Sequence, residues 1–309
     1  MMTKTSLFER PIHMEALDPD SNEPRLLRVH DLLSEWSTEA AARYEAKQTN
    51  RLLGPITGFN QVDWSLSGSL APGLHFVTGA PGTGKTAFTL QIAAQCGFPA
   101  LYISCEMSPL ELLRRITARV TRTFLGRFKT GELTPDKADE LMHKAFEAVP
   151  ELAIGDATIG HANPAWIRTA ANATKGSAQH LLIVIDSLHS WVAAGEFGES
   201  EYDSLGHGIS TLKTISAELN APILCVSERN RAAMKTGGLG SGAGSRKIEY
   251  QAETQFDLNR GDDAEPDVEG FIQTELRLSK NRNGVAGAKI DLKFHGARQE
   301  FTPKVGFTR

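Results

Sequence analysis

The sequence predicts an α/β fold with a mostly parallel central sheet, a C-terminal β-hairpin and an N-terminal amphipathic helix. Three observations carry this prediction. A phosphate-binding loop joins a strand to a helix near residue 80, apolar runs of strand length alternate with helical patterns up to residue 227, and short strands with a hairpin turn follow residue 253. Strands that alternate with helices form parallel sheets, because a parallel crossover needs a connection long enough to hold a helix.

The composition is that of a globular protein with a sizeable core: 309 residues, 40% hydrophobic and 23% charged. The sequence contains no apolar run of about 18 residues and no secretory h-region near its start, so we expect a cytoplasmic protein with no membrane partner. The net charge of −4 indicates that any surface that binds nucleic acid is local. Cys96, Cys105 and Cys225 lack metal-ligand spacing, which is typical of reduced core cysteines.

The chain divides by composition into a flexible arm at 1–24, a linker helix with a connector at 25–53, and a main domain at 54–309. Apolar residues recur at helical spacing from Pro24 to about Ala46, which predicts an amphipathic helix. They are Val29, Leu32, Leu33, Trp36, Ala40 and Tyr44. Such a face must be covered, and the pattern leaves open whether this chain's own domain or a neighbouring subunit covers it.

The phosphate-binding loop is the most specific motif of the sequence. It matches GxxxxGK[ST] between an apolar run at 75–78 and a helical pattern. Its residues are Gly79, Ala80, Pro81, Gly82, Thr83, Gly84, Lys85 and Thr86. The glycines let backbone N–H groups point at a polyphosphate, and the helix N-terminus favours its negative charge. We expect Lys85 to reach the β and γ phosphates and Thr86 to offer its hydroxyl to Mg²⁺.

Glu106 follows the next predicted strand, 99–104. Ser108 and Glu111 form a predicted capping box with Pro109 at the first helical position, so a helix begins directly after this glutamate. Parallel α/β sheets bind their ligands at such strand ends. A carboxylate there can orient and deprotonate water, or it is an ordinary solvated charge.

Asp186 closes a continuous apolar run at 181–186 that predicts a strand buried on both faces. In phosphate-loop enzymes an aspartate at this place holds Mg²⁺, directly or through water. Helical patterns surround this strand. They cover 108–149 with an interruption at 129–131, 165–175 with a cap at 163–164, and 206–219.

Glu228 follows a further buried strand, 222–227, and a basic segment begins immediately after it. The basic residues are Arg229, Arg231, Lys235, Arg246 and Lys247. The glycine-rich stretch 237–245 between them is too flexible to hold one shape unaided. The segment is either a loop that orders on a nucleic-acid backbone or a solvated loop without a ligand.

Short strands dominate the C-terminal part of the sequence. They are predicted at 256–259, 271–279, 288–295 and 299–302. The pair Asn283-Gly284 predicts a hairpin turn, and Lys280 and Arg282 precede it at a strand end. If these cations point outward, they can complete the phosphate site of a neighbouring subunit as an arginine finger does.

Taken in this order, the motifs resemble the ATPase domain of bacterial replicative helicases of the DnaB type. The resemblance spans about 54–302 and rests on six segments. They are PITGFN at 55–60, SCEMS at 104–108, FKTGEL at 128–133, IDSLH at 185–189, IEYQA at 248–252 and KNRNG at 280–284. The resemblance implies a RecA-like P-loop NTPase core and an enzyme that hydrolyses ATP with Mg²⁺ while it moves on single-stranded DNA in replication.

The resemblance also implies roles for single residues. Lys85 and Thr86 bind nucleotide and Mg²⁺, Asp186 supports the metal and Glu106 activates water. Lys280 and Arg282 act on the ATP of the next subunit in a homo-hexameric ring. The basic loops line a central channel for single-stranded DNA, and the linker helix docks on an adjacent protomer.

Two departures from the family matter. Segment 1–24 is shorter than the family's N-terminal domain, which contacts primase, so we do not expect that partnership. Glu228 stands where the family has a glutamine that senses the γ phosphate, and an acid there repels a triphosphate unless it is paired. Two other ATPase classes remain as alternatives: a RecA- or RadA-like recombination protein and a KaiC-like regulator or loader that does not translocate.

Overall fold

One sheet of nine strands organises the described part of the chain. The computed structural model describes residues 27–195, 197–198, 200–228, 248–261 and 264–304. The chain divides into two units, Met1–Arg51 and Leu52–Arg309, and all strands of the sheet belong to the second.

The first unit contains the predicted linker helix. A 3-10 turn at Val29–Leu32 leads into helix α1, Leu33–Gln48, so the helical segment starts after the predicted residue 24 and ends two residues after the predicted Ala46. Arg28 is extended and stands before the first turn. All six positions of the predicted apolar face are exposed. What covers this face therefore stays a prediction.

Eight of the nine strands of the sheet follow the predicted pattern closely. The strands are β1 Gly73–Gly79, β2 Ala100–Ser104, β3 Leu152–Asp156, β4 Leu182–Asp186, β5 Pro222–Glu228, β6 Ala252–Asn259, β7 Ile272–Asn281, β8 Lys289–His295 and β9 Glu300–Pro303. Their spatial order is β3-β2-β4-β5-β1-β6-β7-β8-β9. The first six strands in this order are parallel, and the last three pair antiparallel. The predicted mostly parallel sheet with a C-terminal hairpin is confirmed.

The central strands are buried on both faces, as the continuous apolar runs predict. In β4, Leu182 and Val184 enter one hydrophobic cluster while Ile183 and Ile185 enter a second cluster on the opposite face. Successive side chains of a strand point to opposite faces of the sheet, so a strand between two layers must be apolar at every position. The sheet is therefore the middle layer of the main unit.

Helices cover both faces of the sheet. They are α2 Asn60–Ser65, α3 Lys85–Gln95, α4 Pro109–Thr121, α5 Pro135–Ala148, α6 Pro164–Lys175, α7 Leu188–Ala193 and α8 Glu201–Leu219. Helices α4, α5 and α6 begin alike, with proline at the first turn after a capping residue. The caps Ser108, Thr134 and Asn163 accept backbone N–H groups at 3.4, 3.3 and 2.9 Å.

Some boundaries differ from the sequence prediction. Helix α4 ends at the left-handed residue Arg122, so the helical interruption starts before the predicted 129–131. The Glu111 carboxylate accepts from Lys129 Nζ at 2.9 Å, across this interruption. Helix α8 begins at Glu201 rather than near Gly206, because the Ser200 hydroxyl caps it by accepting from a backbone N–H at 3.1 Å.

Three short elements escaped the sequence prediction: α2, β3 and α7. Strand β3 is an edge strand that pairs only with β2 in the described sheet, and its sequence includes a glycine. Helices α2 and α7 have six residues each, which is too short for helical periodicity to emerge. The hydroxyl of Ser187 caps α7 directly after β4.

The last strand of the sheet, β9, contacts helix α3. The side chain of Gln91 on α3 donates to the Phe301 carbonyl oxygen at 2.9 Å and accepts from the Phe301 N–H at 2.8 Å. These contacts satisfy the N–H and C=O of Phe301, which would otherwise lie unpaired in a buried position on β9. The antiparallel strands are thereby tied to the helix that follows the phosphate loop.

Other sequence expectations agree with the described residues. Cys96 and Cys225 are buried, Cys105 is partly buried, and all three thiols are free. Within the residues that the structure describes, no helix is both long and apolar enough to traverse a lipid bilayer.

We predict that Gln91→Leu destabilises the main unit by about 1–3 kcal/mol, because it leaves the buried N–H and C=O of Phe301 without partners at nearly unchanged side-chain volume. Urea unfolding followed by circular dichroism measures the change. Gln273→Leu on the exposed face of β7 is the control and should change stability by no more than about 0.5 kcal/mol. Equal effects of the two substitutions would refute the assigned role of Gln91.

Candidate active site

The carboxyl ends of four parallel strands, β1, β2, β4 and β5, lie side by side along one edge of the sheet. Ser104 is paired with Asp186, and Gly79 is paired with Glu228, at the carboxyl ends of their strands. Because parallel strands run in the same direction, their carboxyl ends lie along the same edge, and open α/β sheets bind ligands there. The structure therefore brings the phosphate loop, Glu106, Asp186 and Glu228 together, although they are distant in the sequence.

The phosphate loop curls tightly between β1 and α3. The hydroxyl and N–H of Thr83 donate to the Ala80 carbonyl oxygen at 2.9 and 3.3 Å. Gly84 caps α3 at φ +93°, and a Cβ there would lie 3.0 Å from the rings of Phe294 and Phe301. Only glycine suits this position, because both the left-handed backbone and the close rings exclude a side chain.

Lys85 lies buried inside the loop. Its ammonium donates to the carbonyl oxygens of Gly79 and Ala80 at 2.9 and 3.2 Å. Burial lowers the pKa of Lys85, while the negative charges of Glu228, Asp186 and Glu106 act in the opposite direction, in that order of size. The charges of three carboxylates thus act on one ammonium group, and all three carboxylates belong to the predicted site.

Asp186 is buried and held by hydroxyl groups. Tyr102 on β2 donates its hydroxyl to Asp186 Oδ2 at 2.6 Å, and the same tyrosine oxygen lies 3.2 Å from Thr89 Oγ1 on α3. Burial raises the pKa of Asp186, and hydrogen bonds from Tyr102 and Thr86 oppose this rise. The bond between Asp186 and Thr86 joins the two residues that the sequence assigns to Mg²⁺.

Glu106 is exposed at the edge and held by two serines. Ser190 donates its hydroxyl to Glu106 Oε1 at 2.7 Å, and the Ser187 hydroxyl donates to the same oxygen. The two serine hydroxyls are 3.0 Å apart. This pair orients a carboxylate that would otherwise rotate freely in solvent.

Sequence reasoning missed the hydroxyl groups that orient the two acids. Ser187 and Ser190 follow Asp186 by one and four residues, a spacing that places both at the start of a helix after the strand. Tyr102 lies between aliphatic residues of a buried strand, and a buried tyrosine hydroxyl needs a partner. These signals are present in the sequence, but their partners lie on other strands.

The arrangement fits a polyphosphate and a shared divalent cation. Lys85, the N-terminus of α3 and the glycine-rich loop form an anion cradle. No group of three or more His, Cys, Asp or Glu side chains able to hold a metal occurs in the described ranges. A site with Thr86 and Asp186 alone suits Mg²⁺, which keeps several waters and takes further ligands from phosphate.

Lys280 and Arg282 lie far from this site in the same chain. Strand β7 is antiparallel to β6, so its end at Asn281 pairs with Thr254, which is level with His75 near the start of β1. From His75 to Gly79 the strand advances about 13 Å, and two strand spacings add about 10 Å sideways.

The cations are also held at that distant place. Arg282 Nη2 donates to the Tyr250 carbonyl oxygen at 2.9 Å, and Arg282 Nη1 lies 3.5 Å from Glu253 Oε1. Lys280 Nζ donates to the carbonyl oxygens of Glu249 and Tyr250. Neither side chain can reach the phosphate loop of its own chain. The predicted DNA-binding residues Arg229, Arg231, Lys235, Arg246 and Lys247 lie outside the described residues.

Comparison with known proteins gives a match over most of the chain. The family of DnaB-like helicase C-terminal domains matches residues 54–303. The replicative DNA helicase DnaB of Geobacillus stearothermophilus is 27% identical over 260 residues, which make up 79% of this chain and 55% of that protein. The chain spans about half the length of the curated relatives that it matches.

Two solved structures share the fold. One, described as an ATPase domain, superposes with a TM-score of 0.72 at 19% identity, and the match covers 87% of this chain and 98% of that one. The other, a DnaB-like replicative helicase described with its interactions with primase, has a TM-score of 0.70 at 19% identity, and the match covers 88% of this chain and 70% of that one. This likeness confirms the predicted RecA-like α/β fold.

We predict that Glu228→Gln tightens the binding of ATP about fivefold and that of ADP less, because the substitution removes a negative charge that competes with the terminal phosphate for Lys85. Titration calorimetry with a hydrolysis-resistant ATP analogue and with ADP measures both affinities. Glu147→Gln on the exposed side of α5 makes the same charge change away from the site and serves as the control. Equal tightening of ATP and ADP by Glu228→Gln would contradict the prediction.

Proposed function

Because the chain belongs to the family of DnaB-like helicase C-terminal domains, we propose that it is the ATPase motor of a replicative DNA helicase. In this proposal it hydrolyses ATP and uses the free energy to move along single-stranded DNA and separate the strands of a duplex. One observation carries the proposal: Lys85, Glu106 and Asp186 converge at one edge of the sheet within the matched range. That convergence supports nucleotide hydrolysis, and the family supports its use on DNA.

ATP supplies the phosphoanhydride bond whose cleavage drives the motor. We propose that the backbone N–H groups of the loop and of the first turn of α3 bind the phosphates, with Lys85 neutralising the β and γ groups. Thr86 and Asp186 would hold Mg²⁺ together with phosphate oxygens, and the Tyr102 hydroxyl keeps the Asp186 carboxylate in position. The buried network around Asp186 makes this part of the site rigid before nucleotide binds.

Glu106 is the proposed general base. Its exposure gives water access to the carboxylate, and the hydroxyls of Ser187 and Ser190 fix the orientation of the group through Oε1. Oε2 is then the oxygen that we assign to the proton of the attacking water.

A second subunit would complete the site. Arg282 and Lys280 lie at the opposite edge of the sheet from the phosphate loop, so they can act only on the nucleotide of another copy. A contact between two different surfaces of the same protein is head-to-tail, and such contacts close into rings or continue as filaments. We propose a closed homo-hexamer, in which the basic segment after Glu228 lines the channel and holds single-stranded DNA.

The linker helix is assigned to the same assembly. Its apolar positions, including Val29, Trp36 and Tyr44, are exposed, and such a face is typical of a helix that docks on a partner surface. We propose that this surface belongs to the adjacent protomer.

The alternative ATPase classes have less support, because the family and the curated relative are named for helicases rather than for recombinases or regulators. ATP hydrolysis with and without single-stranded DNA, together with particle mass and strand displacement, separates the classes. A helicase shows all three properties: stimulation by DNA, a ring mass and displacement. A KaiC-like regulator lacks the stimulation, and a RecA- or RadA-like protein lacks processive displacement.

We predict that Lys85→Ala and Glu106→Gln each abolish DNA-stimulated ATP hydrolysis, but for different reasons. Lys85→Ala removes the cation that binds the phosphates, so it also weakens nucleotide binding. Glu106→Gln keeps the shape of the base but removes its proton-accepting charge, so binding persists while the rate falls by about a hundredfold or more. Phosphate release and binding of a fluorescent nucleotide give the two readouts. Lys144→Ala on the exposed side of α5 is the control. DNA-stimulated hydrolysis that persists in both site variants would refute the proposed mechanism.

We predict that Arg282→Ala assembles normally but loses about a thousandfold in turnover, as expected for a cation that stabilises the transferring phosphate in trans. Arg277→Ala, an exposed arginine on the same strand, should turn over like wild type. Mixed assemblies of Arg282→Ala and Lys85→Ala subunits give the sharper measurement. A subunit with an intact phosphate loop then receives Arg282 from its neighbour, so activity returns. Wild-type turnover in Arg282→Ala alone would show that the finger assignment is wrong.

A further inference from the structure

Three exposed side chains with large apolar surfaces lie on the segments that hold or adjoin Arg282. Trp64, Tyr250 and Val285 are 79%, 74% and 79% exposed. We call these three residues the finger rim. Tryptophan, tyrosine and arginine are the residue types that dominate the binding energy of protein interfaces, so the composition of this surface favours a contact.

Helix α2 and the turn after β7 form one rigid support for the rim. Asn281 Nδ2 donates to the Ser65 carbonyl oxygen at 2.7 Å, and the Ser67 hydroxyl donates to the Asn283 carbonyl oxygen at 2.6 Å. Gly284 packs so closely that a Cβ there would lie 2.4 Å from the Ser65 carbonyl oxygen. The junction therefore holds Trp64, the neighbour of Ser65 on α2, close to the segment that carries Arg282 and Val285.

The exposure of Trp64 is imposed by its helix. Val62 and Leu66, two residues before and after it, are fully buried and turn the opposite side of α2 to the core. Asp63 anchors the start of the helix by accepting from the Thr57 N–H at 2.6 Å and from the Thr57 hydroxyl at 2.7 Å. The indole cannot turn inward without breaking these contacts, so its apolar surface remains available.

Tyr250 joins the rim through its backbone. Its carbonyl oxygen accepts from Arg282 Nη2 at 2.9 Å and from Lys280 Nζ at 3.3 Å. Both cations of the proposed finger are thus fixed to the residue whose ring is exposed. Tyr250 and the two cations therefore belong to one hydrogen-bonded part of the fold.

We propose that the finger rim docks on a second copy of this chain, beside its phosphate loop, and that this contact seats Arg282 there. The inference rests on the proposed function and adds the residues that supply the contact energy. The occupant is a second copy because that copy's site edge carries the exposed carboxylates Glu106 and Glu228, which complement the two cations. The rim and that edge lie at opposite ends of the sheet strands, so each copy can use both at once.

The rim and the finger have separable roles in this arrangement. Trp64, Tyr250 and Val285 contribute apolar contact area and no charge to the reaction, whereas Arg282 contributes charge. Loss of a rim residue should weaken assembly and leave each assembled site competent. Loss of Arg282 should leave assembly intact and each site incompetent.

The test compares Trp64→Ala and Val285→Ser with Val268→Ser. Val268 is another exposed valine, at 105% against 79% for Val285, and it precedes the start of β7, so the last two substitutions form a matched pair. Particle mass is measured across protein concentrations by sedimentation, and ATP hydrolysis per subunit is measured over the same range. Circular dichroism checks that each exposed substitution leaves the fold unchanged.

We expect Trp64→Ala to raise the protein concentration at which half of the subunits are assembled by about tenfold or more. Val285→Ser should also raise this concentration. Val268→Ser should assemble like wild type. Hydrolysis by Trp64→Ala should return towards the wild-type rate at high protein concentration, whereas Arg282→Ala should stay inactive at every concentration.

Two results would overturn the rim: a wild-type protein that stays monomeric, or rim variants that assemble at the same concentration as wild type and Val268→Ser. Failure of the proposed function looks different. A wild-type protein that assembles but hydrolyses no ATP with or without single-stranded DNA refutes the function, while the sedimentation data still decide the rim. Normal DNA-stimulated hydrolysis with unaltered assembly of the rim variants refutes the rim alone.

Discussion

The parallel pairing of β1 with β5 and of β2 with β4 is the constraint on which the rest of this structure depends. It places Gly79 beside Glu228 and Ser104 beside Asp186, so that residues far apart in sequence share one edge. Because these strands are buried on both faces, a register shift by one residue would move apolar side chains between the two cores. The energy that maintains the core therefore also maintains the geometry of the site.

Hydroxyl groups hold the two carboxylates of the site in defined orientations. Asp186 is buried and takes a hydrogen bond from Tyr102, while Glu106 is exposed and takes hydrogen bonds from Ser187 and Ser190. A buried, fixed carboxylate suits a metal ligand, and an exposed, oriented carboxylate suits a group that must meet water. The different surroundings of the two acids support their different proposed roles.

Parallel pairing brings residues together at the phosphate loop, whereas the change to antiparallel pairing after β6 separates residues from it. The end of β7 lies away from the phosphate loop for this reason. Arg282 is thereby separated from its own site and joined to the surface that bears Trp64. In the proposed assembly, a single chain contributes one half of a site at each end of its strands, and copies associate head-to-tail so that both halves are used.

The sequence by itself determined the phosphate loop, the strands that end at Glu106 and Asp186, and the hairpin, because periodicity, glycine placement and strand-end acids are local signals. It did not reveal the short α7, whose six residues are defined by a cap and by burial rather than by periodicity. Only the tertiary structure decided that Tyr102 serves Asp186 and that Arg282 faces away from Lys85. Those outcomes depend on which strands become neighbours and in which direction they run, and no local pattern encodes either choice.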